Sequence, residues 1–460
     1  MERYSWKSVA ITCIYGLKSV TLLLHEQKFL VDMKRNITQQ LQAWKKKTYR
    51  KPLIINGARQ VGKTYSLKEF GREAYENVAY INCDGNEEVA NIFAQDYDMH
   101  RILLHLSALT GVDIKPERTL IIIDEIQECP KALNSLKYFC ENAPQYHVVV
   151  AGSLLGISLH AGSSFPVGKV DMIKMYPMTF DEFLMAAGED RLVDILRQQD
   201  YSLITPMSAR LLEMLRQYYY VGGMPAVVKA FFASHQLSEV RDIQNQILFD
   251  YQRDFSKHAP LSEVPRINMV WNSIPSQLAK ENKKFVYGAL KKGACATQFE
   301  MAIEWLIDAG LIYKVPRVSE PRKPLKFYED LNVFKLFSLD VGLMGAMAET
   351  TAADVLVRGT AMTEYRGAFT ELFVLTQLVA RGITPYYYSA NDSRIEIDFL
   401  IQKAGTVIPL EVKAEENVHS KSLRTYIEKY PQLKGVRLSM LPYHDQDWMT
   451  NYPLYCVNFI

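Results

Sequence analysis

The 460-residue chain carries 53 basic and 51 acidic residues, a formal net charge of +2, with 48% hydrophobic and 23% charged side chains. This balance excludes a disordered or fibrous protein and any global electrostatic pull toward nucleic acid or an anionic membrane, so such a partner has to be sought in local segments. The length calls for two or three domains, and the six cysteines (Cys13, Cys83, Cys129, Cys140, Cys295 and Cys456) form no CxxC pair or Cys/His cluster, which fits a reducing, cytoplasmic setting without a zinc site or disulfide framework.

The chain opens with an apolar stretch, Val9 to Leu24, that is interrupted by Lys18, has no small-residue cleavage site and is too short and broken to span a bilayer. Met33 precedes Lys34, Arg35 and an amphipathic run (Ile37, Leu41, Trp44), so residues 1–33 read as an extension upstream of a start at Met33 rather than as a signal peptide, and no membrane partner is expected. A surface helix is expected from Lys34 to about Lys47, then a short buried strand over 52–56 that enters a glycine turn.

Further buried strands are expected at Val78–Cys83, Leu120–Ile123 and Val148–Ala151, with helices over Tyr65–Tyr75, Glu87–Phe93 and Lys131–Asn142 between them. Near-continuous apolar strands alternating with helices imply an α/β fold with a parallel sheet, placed with a helical lid at 34–235. A helical linker and an α+β module resembling a winged helix follow at 236–360, with helices at Ile274–Leu278, Lys283–Leu290 and Thr297–Ala309 and a strand at Leu311–Val315. The hairpin after that strand carries Lys314, Arg317, Arg322, Lys323 and Lys326 against Glu320. A basic wing of this kind grips DNA phosphates, docks a protein, or protects a sheet edge. The last unit, 361–460, is a small α/β domain with a helix from Phe369, β-like runs at Tyr386–Ser389, Ile395–Ile401 and Thr406–Lys413, and a helix at Lys421–Tyr430.

Gly57-Ala58-Arg59-Gln60-Val61-Gly62-Lys63-Thr64 matches GxxxxGKT between an apolar strand and a helix, the context in which backbone N–H groups turn inward around phosphates. The stretch Gly57 to Tyr65 is therefore the expected nucleotide-binding segment. Lys63 faces the β- and γ-phosphates of ATP, the Thr64 hydroxyl faces Mg²⁺, and the helix N-terminus adds its dipole. Arg59 is either a further cation at the nucleotide or a surface or capping arginine. Leu120-Ile121-Ile122-Ile123-Asp124-Glu125 ends a buried strand in two acids, so Asp124 is expected in the magnesium shell and Glu125 as the general base that polarises water. Ser153, at the tip of the next strand, is a candidate contact to the γ-phosphate or that water.

In the last unit Glu371 lies on a helix, Asp398 follows Ile395-Glu396-Ile397, and Glu411-Val412-Lys413 ends the next strand. The order resembles the PD-(D/E)xK nucleases. Strand periodicity puts Glu411 and Lys413 on one face with Asp398, a set suited to hold a second Mg²⁺ through Asp398 and Glu411 while Lys413 positions water. The alternative is a surface salt bridge on an edge strand.

Taken together, GARQVGKT (57–64), LIIIDEIQECP (120–130), VVVAGSLLG (148–156), YPMTFDEFL (176–184), GGMP (222–225) and the EIDFLI and PLEVKA segments resemble AAA-type ATPases of bacteria and archaea that carry a C-terminal domain of uncharacterised function. The resemblance implies ATP hydrolysis, a winged-helix-like middle module and sites completed in a homo-oligomer or by a protein partner. Where such proteins often show Gly-Arg before the YPMTFDEFL-like segment, this chain has Gly168-Lys169, which leaves a γ-phosphate sensor unassigned.

Overall fold

The computed structural model describes residues 9–11, 22–24, 33–153, 165–280, 282–356, 363–390, 395–414 and 420–460. Apart from an antiparallel pair, Val9–Ile11 (β1) with Leu22–Leu24 (β2), the expected extension lies outside these residues, as do Leu154–Gly156 of the third motif.

Strands β3 (Leu53–Asn56), β4 (Asn77–Asn82), β5 (Thr119–Asp124), β6 (His147–Gly152) and β7 (Asp171–Lys174) form a parallel sheet in the order β4-β5-β6-β3-β7. Every residue of β5 and β6 is buried, as their unbroken apolar runs require. Alternation sends Ile54, Ile121, Ile123 and Val150 to one face, against Leu133, Leu136 and Phe139, while Leu53, Ile55, Ile122 and Val149 face the larger core on the other. The helices Lys63–Ala74, Glu87–Gln95 and Pro130–Asn142 lie where periodicity puts them. The helix Met99–Thr110, capped by Asp98 and closed by Gly111 at φ 68°, and the edge strand β7 are additions to the expected elements. None of the four residues of β7 is fully buried, so this edge strand lacks the apolar run by which the central strands are read.

In the middle region a 22-residue helix, Leu237–His258, packs its Tyr251 and Phe255 rings edge-on against Trp271 of the helix Val264–Leu278, and Phe255 also meets Trp305 of the helix Ala296–Asp308. The helix expected over Lys283–Leu290 is only a 3₁₀ turn at Tyr287–Ala289. Phe285, Val286 and Tyr287 favour extended backbone, and the Phe285 N–H bonds to the carbonyl of Phe334 at 2.9 Å.

Strands β8 (Ile312–Val318) and β9 (Glu329–Ser338) form the expected hairpin, but it is not a separate wing. β8 pairs in parallel with β10 (Tyr386–Ser389) at Arg317 and Tyr387, so the hairpin is the outer part of an eight-stranded sheet. That sheet continues through β11 (Glu396–Lys403), β12 (Thr406–Val412), β13 (Gly435–Ser439), β15 (Met449–Pro453) and β14 (His444–Asp445). The helix Lys421–Lys429 covers one face through Leu423 and Tyr426, which meet Tyr388, Ile397 and Leu400.

The helix Thr363–Ala380 joins this sheet to the first unit. Phe373 packs edge-on against Phe180 and Tyr218, the Gln377 side-chain oxygen accepts from the Phe180 N–H at 2.8 Å, and the Asn458 amide reaches Asp181 at 2.8 Å. Burial of rings of this size stabilises a contact by about 1.5–3 kcal/mol per side chain.

Candidate functional site

The phosphate loop begins where β3 ends. A Cβ on Gly57, at φ 155°, would lie 2.2 Å from the Met175 carbonyl oxygen, so only glycine lets the loop leave the sheet beside β7. Gly62 turns at φ 94° into the helix that starts at Lys63, and a Cβ there would press on the Arg35 guanidinium and the Pro225 ring. Arg35 braces the loop from behind, donating to the Val61 and Tyr176 carbonyls at 2.7 Å each and pairing with buried Glu182 at 3.0 Å.

Lys63 Nζ donates to the carbonyls of Gly57 and Ala58 at 2.9 and 2.8 Å. Burial lowers its pKa to about 8, opposed by Glu125 and Asp124 and assisted by Arg59. Anionic phosphate in the loop would reverse the desolvation effect and hold the charge on the amine. The Thr64 hydroxyl donates to Asp124 Oδ2 at 2.6 Å, so the two oxygens expected on Mg²⁺ already meet at one point, an arrangement that fits an ion bridging them. The Tyr80 hydroxyl donates to the same Oδ2 at 3.0 Å, a contact across the β4–β5 pairing that the motifs do not disclose.

Glu125 takes a left-handed conformation, φ 48°, directly after the strand, which turns its carboxylate away from the sheet. Oε2 accepts from Gln127 Nε2 at 2.6 Å and from Ser153 Oγ at 3.3 Å. Ser153 therefore sits with the acid expected to polarise water. Tyr65, the third residue of the helix, is half exposed.

Two further parts of the motif set are structural. Gly222 and Gly223 pack so closely on Asp340 and Met178 that added Cβ atoms would lie 2.2 Å from Asp340 Oδ1 and the Met178 carbonyl, and Pro225 then opens a helix beside the loop. Lys169 pairs with Glu141 at 2.8 Å, and it precedes Asp171, which registers with Leu53 at the amino end of β3. It therefore lies at the edge of the sheet opposite the phosphate loop. A polar cavity of about 470 Å³ is lined by Arg35, Asn36, Lys174, Tyr176, Asp181 and Asn458 and by no residue of the loop itself.

The helix Leu237–His258 grips the loop from outside. Asp250 accepts from Gln60 Nε2 at 3.0 Å, the Tyr251 hydroxyl donates to the Arg59 carbonyl at 2.9 Å, and Asp254 forms an ion pair with the Arg59 guanidinium. Arg59 is thus a surface arginine, but one whose guanidinium is held in an ion pair.

The acids of the last unit also come together, with additions. Glu371 and Glu411 are buried, Lys413 Nζ lies 2.8 Å from Glu411 Oε1, and Asp398 Oδ2 accepts from the Val412 N–H at 2.8 Å. Glu411 and Lys413 share a face as alternation requires. Two more lysines enter from the middle region: Lys283 pairs with Glu371, and Lys335 of β9, fully buried, lies 2.6 Å from Glu396 Oε1 and 4.0 Å from Glu371 Oε2. Burial, together with the charge of Glu371, raises the Asp398 carboxyl to about 7 against the pull of Lys335 and Lys283. Burial also opposes the charge on Glu371, yet Lys283 and Lys335 hold it below the ordinary carboxylate range. Among the described residues no three His, Cys, Asp or Glu side chains converge in the way a metal ion requires, so the Asp398–Glu411 pairing expected for a second Mg²⁺ lacks a third such ligand. A lysine between Phe334 and Leu336 was the sequence signal for this network, since a charge in an apolar strand needs a buried partner.

The hairpin is less basic than its lysines and arginines suggest. Arg317 pairs with Asp330 at 2.7 Å, Arg322 with Glu320 at 2.9 Å and Lys314 with Glu304 at 3.5 Å, while Lys323, Lys326 and Phe327 are exposed at the tip. No helix among the described residues is long and apolar enough to cross a membrane.

Residues 49–184 match the family described as an AAA domain, and residues 212–354 and 366–457 match two domains of unknown function, DUF8612 and DUF4143. The chain is 28% identical over 409 residues to an uncharacterized protein of Haemophilus influenzae, a match covering 84% of this chain and 88% of that protein. Among solved structures, a Walker-type ATPase of Pyrococcus abyssi aligns at 14% identity over 69% of this chain and 96% of its own, with a TM-score of 0.46. The RuvB Holliday junction branch migration motor of Thermotoga maritima aligns at 14% over 66% and 92%, with a TM-score of 0.29. The strand–loop–helix at Gly57–Thr64 and the acids at the end of β5 both lie within residues 49–184, the part of the chain that matches the AAA domain, and this part is P-loop ATPase-like in fold.

Proposed function

We propose that this protein is a Mg²⁺-dependent ATPase that uses nucleotide turnover to change the relation between its first unit and the sheet built from β8 to β15, and that this sheet acts on DNA. The observation that carries the ATPase reading is the meeting of Thr64 Oγ1 and Asp124 Oδ2 at 2.6 Å beside Lys63 and Glu125. Mg²⁺, held there, would neutralise charge on the phosphates. Lys63 binds the β- and γ-phosphates, the loop amides and the helix N-terminus orient them, and Glu125 takes the proton of the attacking water while Gln127 and Ser153 fix its carboxylate. The exposed Lys323, Lys326 and Phe327 support contact with DNA at the hairpin tip, through phosphates and a base face.

Lys63→Ala should abolish nucleotide binding, and Glu125→Gln should retain bound ATP without turnover. Unchanged hydrolysis in both variants would sink the site assignment.

A second reading has its own observation. Three lysines already neutralise the acids around Asp398, which favours a non-nucleolytic switch or scaffold that docks a protein partner. Incubation of linear and plasmid DNA with Mg²⁺ or Mn²⁺, beside an Asp398→Ala/Lys413→Ala variant, separates the two. Cleavage lost only in the variant supports a nuclease, whereas ATP hydrolysis without cleavage supports the switch.

A further inference from the structure

The phosphate loop is tied to the middle region through one face of one helix. Asp250, Tyr251 and Asp254 stand at i, i+1 and i+4 on Leu237–His258, and each engages Arg59 or Gln60 of the loop. The tie at Asp254 is unequal: its side chain is 7% exposed, whereas that of Arg59 is 48% exposed. Arg59 borders an open cavity of about 690 Å³, which Asp254, Arg253 and Lys257 also line, so the more exposed guanidinium has space beside it into which to move. Arg59 is also close enough to the phosphate-binding amine for its charge to be felt at Lys63.

We propose that Arg59 is the residue that distinguishes a nucleoside triphosphate from a diphosphate, by exchanging Asp254 for the γ-phosphate. This rests on the reading of the loop as an ATP site. A diphosphate lacks the third group, so the Arg59–Asp254 pair stays closed. A triphosphate places further negative charge at the end of the loop and competes for the guanidinium. Once released, Asp254 is a buried carboxylate on a helix, with the like charge of Asp250 one turn back and, one turn on, His258, whose own burial disfavours its protonated form. Leaving it so is unfavourable, and the helix is therefore pressed to shift. Tyr251 and Phe255 of the same helix bear on Trp271 and Trp305, which carries the shift toward the hairpin.

The test measures the affinity of fluorescent ATP and ADP analogues for the full chain and for Arg59→Ala, Arg59→Lys and Asp254→Asn, with thermal melts as a folding control. Arg59→Ala should weaken ATP binding about tenfold and change ADP binding less than about twofold, the loss expected for one charge-assisted contact. Asp254→Asn, which frees the arginine, should tighten ATP selectively, and Arg59→Lys should recover part of the discrimination. Hydrogen exchange over 237–258 should change with a non-hydrolysable triphosphate in the parent and not in Arg59→Ala. A parallel loss of ATP and ADP affinity in Arg59→Ala, or an unchanged ratio in all variants, overturns the proposal. Failure of the parent to bind either nucleotide would instead strike the ATP reading itself, and the proposal with it.

Discussion

Lys335 Nζ lies 2.6 Å from Glu396 Oε1, which gives the acid cluster of the last unit a cation from a strand that precedes it by 61 positions. The amine is fully buried over the Tyr387 ring, and Glu371 and Glu396 hold its charge against the cost of burial. Folding of the last unit therefore depends on the hairpin electrostatically as well as through backbone pairing.

Lys335→Met should destabilise the chain by about 3 kcal/mol, because it leaves buried carboxylates without their partner. Adding Glu396→Gln should recover part of that loss. Chemical denaturation of the single and double variants checks both statements, and equal stability of parent and Lys335→Met would refute them.

Lys283 pairs with Glu371, one of the acids named for the expected nuclease-like site. In an Asp124→Asn background, which removes the ion site expected at the loop, the melting temperature should be the same in EDTA and in millimolar Mn²⁺, whereas adding Lys283→Ala should give a rise with Mn²⁺. An Asp124→Asn protein already stabilised by Mn²⁺ would mean that the lysine gives way to the ion.

Gln127 fixes one oxygen of Glu125. Gln127→Ala should lower kcat for ATP hydrolysis about tenfold with KM nearly unchanged, since the acid is misplaced only for the chemical step. In a Glu125→Gln background the same change should add little. Steady-state kinetics on the four proteins decides it, and a rise in KM alone would assign Gln127 to binding.

Burial pushes the Asp340 carboxyl up to about 6, against N–H donors from Gly223, Leu343, Gly342 and Val341. The folded chain thus keeps a proton there that the unfolded chain, titrating near ~3.9, has released. The resulting stability is fully present below about pH 4 and is lost as pH rises through about 6. Relative to Asp340→Asn, which does not titrate, the unfolding free energy of the parent should fall by about 3 kcal/mol between about pH 4 and 7. Parallel pH profiles for the two proteins would contradict this.

The candidate nucleotide site was legible as a cluster because its parts are local. Gly57 to Thr64 is one contiguous turn, Asp124 and Glu125 end one apolar run, and both meet at the carboxyl edge of a sheet whose strands announce themselves by burial. The acid pattern of the last unit was legible for the same reason, since Glu411 and Lys413 are two residues apart on a strand. The partners of Asp254, Lys283 and Lys335 were not, because each acts on a residue 61 to 195 positions away; Lys335 alone left a signal, as a charge in an apolar strand. Tyr80 and Gln127 fall between these cases: each lies near a motif, but only the β4–β5 register and the left-handed turn at Glu125 show what they touch.

The parallel pairing of Arg317 with Tyr387 has a practical consequence for dissecting this chain. The two families of unknown function meet between residues 354 and 366, yet a cut there would divide one sheet. The last unit made alone would present β10 as a bare edge of three tyrosines and a serine, a template for pairing with its own copies. A soluble fragment should therefore begin before β8, and natural exchange of these units among proteins is expected to carry the hairpin along with the sheet that it completes.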